Sequence, residues 1–269
     1  MNVEIIAELG QNHNGSIKTA EELIKAAYLA GADTVKFQKY DLSVIPDKPY
    51  NSCNSYGETY LEHKKHLDLS IEELKYLRII AKSYKLKFLI TPVDSGVVND
   101  VYDVEPSRVK IASCRFNDDD LLSACIDAGY DKIIMSTGMN NHEDIKSRCN
   151  CLFFMNPDIE FAFMHCVSQY PAPVFGMRMI QELSNYGIAG FSSHDIEPMS
   201  CPVAVSLGAE IIEKHLTLDK NMRGTDHAAS LEPGEFKEVV ELIRKTENWI
   251  NSERTVLESE RQMSKKLSW

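Results

Sequence analysis

The chain has 269 residues, and 43% of them are hydrophobic, which is enough for a sizeable core in one large α/β domain or in two small ones. Its 29 Lys and Arg residues against 40 Asp and Glu residues give a net charge of -11 with no long basic cluster, so nucleic acid is excluded as a partner. No apolar run approaches the roughly 18 residues of a membrane span, and the first residues lack the pattern of a secretory signal. We therefore expect a cytoplasmic protein without a membrane partner, whose seven cysteines, which lack CxxC spacing, are reduced.

Short apolar segments alternate with amphipathic segments of helical period along the chain. The apolar segments are, in order, VEIIAEL, TVKFQKY, LKFLIT, RVKIAS, KIIMS, EFAFMHC, IAGFSS and EIIEKHL. Eight successive β/α pairs predict an α/β protein built as a closed (β/α)8 TIM barrel rather than an open doubly wound sheet. Such barrels typically have about 250 residues, and their strands read as continuous apolar runs.

The connections between these segments are short, with one exception. The stretch from Asp41 to Ser70 is rich in Tyr, Asn, Ser and His, and a connection of that length is usually a lid or a binding loop. The residues SIEE, Ser70 to Glu73, predict a capping box at the start of the next helix. Gly31, Gly187 and Gly208 precede strands, where the end of a helix calls for a left-handed residue.

Polar residues gather at or just after the predicted strand ends, where a barrel carries its reactive groups. They include Glu8, Lys36, Gln38, Thr91, Lys110, Ser113, Ser136, His165, Ser168, Tyr170, Ser192, His194, Glu213 and His215. Taken singly, such a serine is usually a cap and such a histidine is usually hydrogen-bonded. Taken together they predict one binding mouth, because buried ionisable groups are costly unless paired and packing gives no reason for them to share one end.

The residue types indicate what the mouth binds. Two cations with several short hydroxyl donors suit a phosphate and a carboxylate, and they are Lys36, Lys110, Thr91, Ser113, Ser136 and Ser192. His194 and His215, on adjacent predicted strands, could coordinate a divalent ion through neutral imidazole nitrogens and leave positions open for water or substrate.

Nine segments of this chain resemble, in order and spacing, the N-acetylneuraminate synthase family, which makes nonulosonic acids such as sialic, legionaminic and pseudaminic acid. The segments are IIAELGQNHNGS, GADTVKFQKY, FLITPVDS, VKIAS, IIMSTGMN, HCVSQYPAP, GFSSH, GAEIIEKHLTLD and GTDHAASLEPGEF. The resemblance implies a TIM barrel that condenses phosphoenolpyruvate with an open-chain N-acetylated amino sugar and water, and that releases phosphate. It also implies a divalent metal, Mn²⁺ or Mg²⁺, and a homodimer.

The resemblance assigns roles to the residues of the mouth. Phosphoenolpyruvate would be held by Lys36, Thr91, Lys110, Ser113, Ser136, Ser168 and Ser192. The amino sugar would be bound by Glu8, Gln38, Tyr170 and Asp226, and the metal by His194 and His215. The catalytic residues would be Glu8, Lys36, Lys110 and Glu213.

Side chains of a barrel strand alternate between inside and outside. Glu213 should therefore share the inward face of His215, with Lys214 pointing outward to the helices. On that face Glu213 is expected to accept a hydrogen bond from His215 and to hold its imidazole in one tautomer.

Two residues depart from the family pattern. Ser193 stands where the family usually has Asp, and this change is expected to remove a negative charge near the metal. Arg115 replaces an acidic residue that is a candidate for activating the water, and the substitutes are Asp118, Asp119 or Glu8.

The segment after the predicted barrel resembles the one that precedes the family's C-terminal antifreeze-like domain. We expect residues 1–249 to form the catalytic barrel and residues 250–269 to form a tail or linker without that domain. Two other functions stay open at this point. The chain could be a Schiff-base aldolase using Lys36 or Lys110, or a non-catalytic barrel that binds an amino sugar or phosphoenolpyruvate.

Overall fold

Eight parallel strands form a closed barrel in the computed structural model, which describes residues 2–50, 54–253 and 255–267. Each strand pairs with the next along the chain, and the eighth pairs with the first. The strands are β1 Glu4–Glu8, β2 Thr34–Lys39, β3 Lys87–Pro92, β4 Val109–Ile111, β5 Lys132–Ser136, β6 Glu160–Cys166, β7 Ile188–Ser193 and β8 Ile211–His215. The predicted TIM barrel is confirmed.

Helices follow the strands around the outside of the barrel. Within the described ranges they are α1 Ile17–Ala30, α2 Tyr60–Leu67, α3 Ile71–Ser83, α4 Val98–Tyr102, α5 Asp119–Asp127, α6 His142–Met155, α7 Met179–Leu183, α8 Ser200–Ser206, α9 Pro233–Asn251 and α10 Glu258–Leu267. None of these helices is both long enough and apolar enough to span a membrane. The six cysteines in this part of the chain are free thiols, and Cys53 lies outside it.

The long connection between β2 and β3 contains a helix that its polar composition concealed. Helix α2 starts at a capping box in which the Glu62 amide donates to Thr59 Oγ1 at 3.2 Å and the Glu62 carboxylate accepts from the Thr59 amide at 3.2 Å. Only His63, Lys64 and Leu67 are buried, so the segment carries little apolar periodicity. The expected capping box at Ser70 is present at the start of α3.

The core has two layers. A small cluster fills the inside of the barrel and consists of Ile6, Leu89, Ile134, Ala162, Met164 and Ile211. A larger apolar layer lies between the strands and the helices. Gly31 and Gly208 adopt the predicted left-handed conformation, whereas Gly187 does not. A Cβ at Gly187 would instead approach the Phe161 carbonyl oxygen to 2.4 Å, so close packing explains this glycine.

The strand register brings the ends of neighbouring strands to one level. Glu8 lies opposite Lys36 in β2 and opposite His215 in β8, and Ser192 lies opposite Glu213. Inward-facing residues of different strands therefore meet across the same opening, which is where a barrel binds its ligands.

Candidate active site

The C-terminal ends of the strands surround a cavity of about 480 Å³. Every residue to which the resemblance gave a role lines it, namely Glu8, Lys36, Gln38, Thr91, Lys110, Ser113, Ser136, Ser168, Tyr170, Ser192, His194, Glu213, His215 and Asp226. His165, which the sequence also grouped with the mouth, instead faces a neighbouring cavity and donates to the Phe175 carbonyl oxygen at 2.9 Å. The convergence of the lining residues follows from the register, because most of their side chains are at or beyond the C-terminal end of a strand, and Lys36 and Lys110 project from within β2 and β4.

Two lysines and two glutamates form the floor of the cavity. Lys36 Nζ lies 2.6 Å from Glu8 Oε2 and 3.5 Å from Glu213 Oε1, and it donates to Thr91 Oγ1 at 3.1 Å. Lys110 Nζ lies 3.2 Å from Glu213 Oε2. All four charged groups are almost completely buried, so each carboxylate offsets the cost of burying an ammonium group.

The two carboxyl groups have opposite pKa shifts. Burial raises the pKa of Glu8, and Glu213 adds to the rise while Lys36 opposes it. Burial alone would also raise the pKa of Glu213, but the ammonium groups of Lys110 and Lys36 hold it well below its ordinary value. Glu8 is thus the carboxyl group more able to carry a proton, and Glu213 is a fixed negative charge.

Short hydroxyl groups and a glycine form a polar cradle beside the lysines. The Gly138 amide donates to Ser113 Oγ at 3.2 Å, and a Cβ at Gly138 would approach Ser168 Oγ to 2.3 Å and Ser113 Oγ to 2.8 Å. Ser136 Oγ is buried and has no hydrogen-bond partner among the described residues. A ligand oxygen would satisfy that hydroxyl, and only a glycine leaves room for the cradle around it.

Two imidazole rings lie side by side at the ends of β7 and β8. The ring centroids of His194 and His215 are 5.2 Å apart. His194 Nδ1 donates to the Val167 carbonyl oxygen at 2.8 Å, so in the neutral ring Nε2 keeps the lone pair, 3.1 Å from the Tyr170 hydroxyl. Burial lowers the pKa of His215 to about 3, which keeps this ring neutral.

The imidazole pair fits a divalent ion that takes its remaining ligands from elsewhere. Asp226 Oδ2 lies 3.6 Å from His215 Nδ1, which is too long for a hydrogen bond. In the part of the chain that the structure describes, no group of three or more His, Cys, Asp or Glu side chains is arranged around a common point for a metal. The protein would therefore supply two nitrogen ligands and leave positions for water or substrate.

The predicted alternation along β8 is present, but the predicted partner of Glu213 is wrong. Glu213 faces inward and is bonded by Lys110, Lys36 and Ser192 rather than by His215. Two ammonium groups attract this carboxylate more strongly than a neutral imidazole does. Lys214 points away from the cavity, as expected.

Ser193 does not lie near the imidazole pair, which corrects the expected loss of charge at the metal. Its hydroxyl is on the outer face of β7, where it accepts from Lys214 Nζ at 2.6 Å and donates to Asp195 Oδ2 at 2.5 Å. Lys214 Nζ also lies 3.5 Å from Asp195 Oδ1. Asp195 therefore supplies the negative charge for Lys214, outside the cavity.

Arg115 also points away from the cavity. Its guanidinium group pairs with Asp94 at 2.5 Å and with Asp118 at 3.2 Å. Asp118 caps α5, and Asp119 pairs with Arg148, so these two candidate substitutes are engaged elsewhere. Of the three acidic groups considered for activating water, only Glu8 lines the cavity.

The side of the cavity opposite the cradle is formed by a hydrogen-bonded chain. Gln38 Nε2 donates to Glu8 Oε1 at 2.7 Å, and the Tyr40 hydroxyl donates to Gln38 Oε1 at 2.7 Å. Gln11 Nε2 donates to Asp226 Oδ2 at 3.1 Å. This polar wall has the alternating donors and acceptors that suit a polyhydroxylated ligand.

Sequence reasoning missed Lys64, Tyr40 and Tyr60 as lining residues. Lys64 stands in EHKKHLD, a run that resembles a solvated helix face. Only the fold of the β2–α3 connection shows that this lysine turns inward.

A model of the NeuB family matches residues 23–255 of this chain. N-acetylneuraminate-9-phosphate synthase of Mus musculus is 35% identical over 258 residues, which cover 92% of this chain and 71% of that protein. N,N'-diacetyllegionaminic acid synthase of Legionella pneumophila is 32% identical over 261 residues, with 92% and 73% covered.

The fold has a solved counterpart of similar extent. The crystal structure of N-acetylneuraminic acid synthetase from Leptospira borgpetersenii, in complex with citrate, superposes with a TM-score of 0.83 at 28% identity and covers 99% of this chain and 91% of that one. These matches confirm the resemblance that the nine segments indicated.

Proposed function

From the premise that the chain belongs to the NeuB family, we propose that it condenses phosphoenolpyruvate with an open-chain N-acetylated amino sugar and water. The products are a nonulosonic acid and inorganic phosphate. The observation that carries the proposal is the cavity itself, in which a lysine–glutamate floor, a hydroxyl cradle and an imidazole pair face one space. No one of these features specifies the reaction, but each suits a different part of it.

Phosphoenolpyruvate is proposed to lie on the floor and the cradle. Lys36 and Lys110 would bind its anionic groups, and the hydroxyl groups of Ser113, Ser136 and Ser168 would donate to its oxygen atoms. As C3 of phosphoenolpyruvate attacks the sugar aldehyde, C2 becomes cationic and water adds to it. The bond between C2 and the bridging oxygen then breaks, and phosphate leaves with that oxygen atom. The same cations stabilise the negative charge of the departing phosphate.

His194 and His215 are proposed to hold the divalent metal, Mn²⁺ or Mg²⁺. When bound, such an ion polarises the carbonyl group that is attacked. The Tyr170 hydroxyl, 3.1 Å from His194 Nε2, and Asp226 would orient the sugar beside it. Glu8 would act as the base that accepts the proton of the attacking water. Its pKa is raised, and of the three acidic residues considered for this role it is the one that lines the cavity. Glu213 would position both lysines.

Phosphate release from phosphoenolpyruvate tests the proposal. The acceptors are N-acetylmannosamine, its 6-phosphate, and the diacetamido sugars that lead to legionaminic and pseudaminic acids, assayed with Mn²⁺ and with chelator. We expect release with at least one sugar and loss of release in His215→Ala. His142→Ala, which changes an exposed histidine outside this cavity, is the matched control. Phosphoenolpyruvate binding without release in any sugar would instead favour the non-catalytic barrel.

The aldolase alternative has one observation in its favour, since burial lowers the pKa of Lys110. Against it, Lys110 is ion-paired with Glu213, which holds it as an ammonium group rather than as a free nucleophile. Borohydride reduction in the presence of both substrates decides the matter. We expect no covalent adduct on Lys110 or Lys36, and an adduct on either would contradict the synthase.

A further inference from the structure

A third lysine faces the cavity, from α2 rather than from a strand. Lys64 is 3% exposed, and its Nζ donates to Gln11 Oε1 at 3.0 Å and to the Tyr40 hydroxyl at 2.8 Å. The ammonium group lies 4.2 Å from the ring centroid of Tyr40 and 5.3 Å from that of Tyr60. Four contacts with uncharged groups, two hydrogen bonds and two aromatic rings, therefore hold the side chain in one place.

Lys64 differs from the other buried lysines of the mouth in its partners. Lys36 and Lys110 each contact a carboxylate within 3.5 Å. The hydrogen-bond acceptors of Lys64 in the described ranges are both uncharged, and one of its three N–H donors is left for a ligand. Burying a cation without an anionic partner is costly, and burial lowers the pKa of Lys64 to about 8 although Asp226 opposes this.

The position of Lys64 identifies which substrate it faces. Tyr40 connects it to Gln38, and Gln11 connects it to Asp226, so both of its partners are bonded to residues assigned to the amino sugar. The cradle assigned to phosphoenolpyruvate is built on β4, β5 and β6 instead. Lys64 therefore stands at the sugar end of the mouth.

Other basic groups lie on the same side. The Arg223 guanidinium group is 4.8 Å from the ring centroid of Tyr56, and the His66 ring stacks on Tyr56 with the ring centroids 3.8 Å apart. Burial lowers the pKa of His63 to about 4, and Lys64, His66 and Arg223 all add to that shift. The charges of Lys64 and Arg223 thus both act on one small region, which suits a group with more than one negative charge.

We propose that Lys64 is a specificity-determining residue that binds a phosphate monoester carried by the acceptor sugar at the end remote from its aldehyde. The inference rests on the proposed function, because it places the sugar beside Gln38 and Asp226. Lys64 would donate its remaining N–H to a phosphate oxygen, while Gln11 and Tyr40 keep the ammonium group in place. Arg223, whose guanidinium group also donates to the Ser55 carbonyl oxygen, would strengthen the attraction from the rim.

The test compares N-acetylmannosamine with N-acetylmannosamine 6-phosphate in turnover and in calorimetric binding. Lys64→Met keeps the length of the side chain and its contact with the aromatic rings but removes the charge, and Lys64→Arg keeps the charge. We expect the native protein to prefer the phosphorylated sugar. Lys64→Met should raise KM and Kd for that sugar by about 10- to 100-fold, with KM for phosphoenolpyruvate changed less than about twofold. Lys64→Arg should keep most of the preference.

Lys65→Met, at the exposed next position of α2, is the matched control and should behave as the native protein does. Equal affinity of the native protein for both sugars, or a preference that survives Lys64→Met, would overturn the inference. If no acceptor, including the diacetamido sugars, leads to phosphate release from phosphoenolpyruvate, the proposed reaction fails. A binding preference for the phosphorylated sugar that depends on Lys64 would still support the anion site. Lys64→Gln provides the same charge removal if the methionine variant does not fold.

Discussion

At the scale of single residues, the floor of the cavity is decided by charge balance. Two lysines share Glu213, and one of them also meets Glu8. Such a cluster is stable only when every member is present, because removing one partner leaves a buried charge uncompensated. Glu213 therefore bonds the lysines and not the imidazole that follows it in the chain.

Glu213→Gln is expected to lower the free energy of unfolding by about 3 kcal/mol, since Lys110 would lose its carboxylate. Metal affinity should change little, because the carboxylate does not bond His215. Urea unfolding and metal titration measure the two effects. Glu210→Gln, at the exposed start of the same segment, should leave stability within about 0.5 kcal/mol of the native value. A large loss of metal affinity with unchanged stability would contradict this assignment.

Gly138 is the residue on which the hydroxyl cradle depends. Gly138→Ala would place a methyl group against Ser113 and Ser168, so we expect KM for phosphoenolpyruvate to rise by about tenfold or more. KM for the sugar should change much less. Gly234→Ala is the control, because a Cβ there would approach none of the described side chains within 4 Å. Steady-state kinetics with each substrate varied in turn separate the two constants, and equal changes in both would count against the cradle.

At the scale of elements, α2 shows how a binding residue depends on a helix start. The capping box at Thr59 fixes the first turn of a helix that has few buried apolar side chains. Thr59→Ala should weaken α2 by about 1 kcal/mol. Faster amide hydrogen exchange in residues 60–67, by roughly fivefold, would report the change, together with weaker sugar binding.

Ser70→Ala provides the comparison for this helix start. It removes the equivalent cap of α3, whose Leu74, Leu77 and Ala81 are buried in the main core. The loss of this cap should lower the free energy of global unfolding and should not speed amide hydrogen exchange in α2. Unchanged exchange in residues 60–67 of the Thr59 variant would show that the loop, and not its cap, holds α2.

At the scale of the whole molecule, one carboxylate links neighbouring strands at the end of the barrel opposite the cavity. Glu4 of β1 accepts from Thr34 of β2 and from Arg108 before β4, both at 2.5 Å, and Lys87 of β3 lies 3.6 Å away. Burial alone would raise the pKa of Glu4, but Arg108, Thr34 and Lys87 together lower it. A depressed pKa means that folding favours the ionised carboxylate.

The contribution of Glu4 to the free energy of unfolding should therefore be complete above its ordinary pKa of about 4.5. It should be lost as the pH falls through the lower pKa of the folded state. Glu4→Gln should cost about 2 kcal/mol at pH 7, and the difference from the native protein should shrink below about pH 4. Urea unfolding at several pH values measures it. Glu160→Gln, from the half-exposed pair with Lys132, should cost less than about 1 kcal/mol. A Glu4 effect that does not depend on pH would contradict the ionic explanation.

The strand pattern predicted the barrel and thirteen of the fourteen residues assigned to the site because both depend on local, periodic information, whereas Asp226, in the loop after β8, came only from the family resemblance. Apolar runs mark strands, and the parity of a position along a strand decides which side it faces, so the polar ends of eight strands could be collected without knowing any distance. Glu213 facing inward beside His215, with Lys214 outward, is an example that needed only this parity.

Contacts between segments far apart in the chain were decided only by the tertiary structure. Lys64 resembles a solvated residue until α2 turns it toward Gln11 and Tyr40, and the charge expected at Ser193 stands instead on Asp195, on the other side of the strand. The sequence by itself determined which strand residues reach the mouth, since that follows from strand parity, but not which residues of the β2–α3 connection do. Which of them pair was settled by folding, because a hydrogen bond or an ion pair depends on separations of a few ångströms that no local pattern encodes.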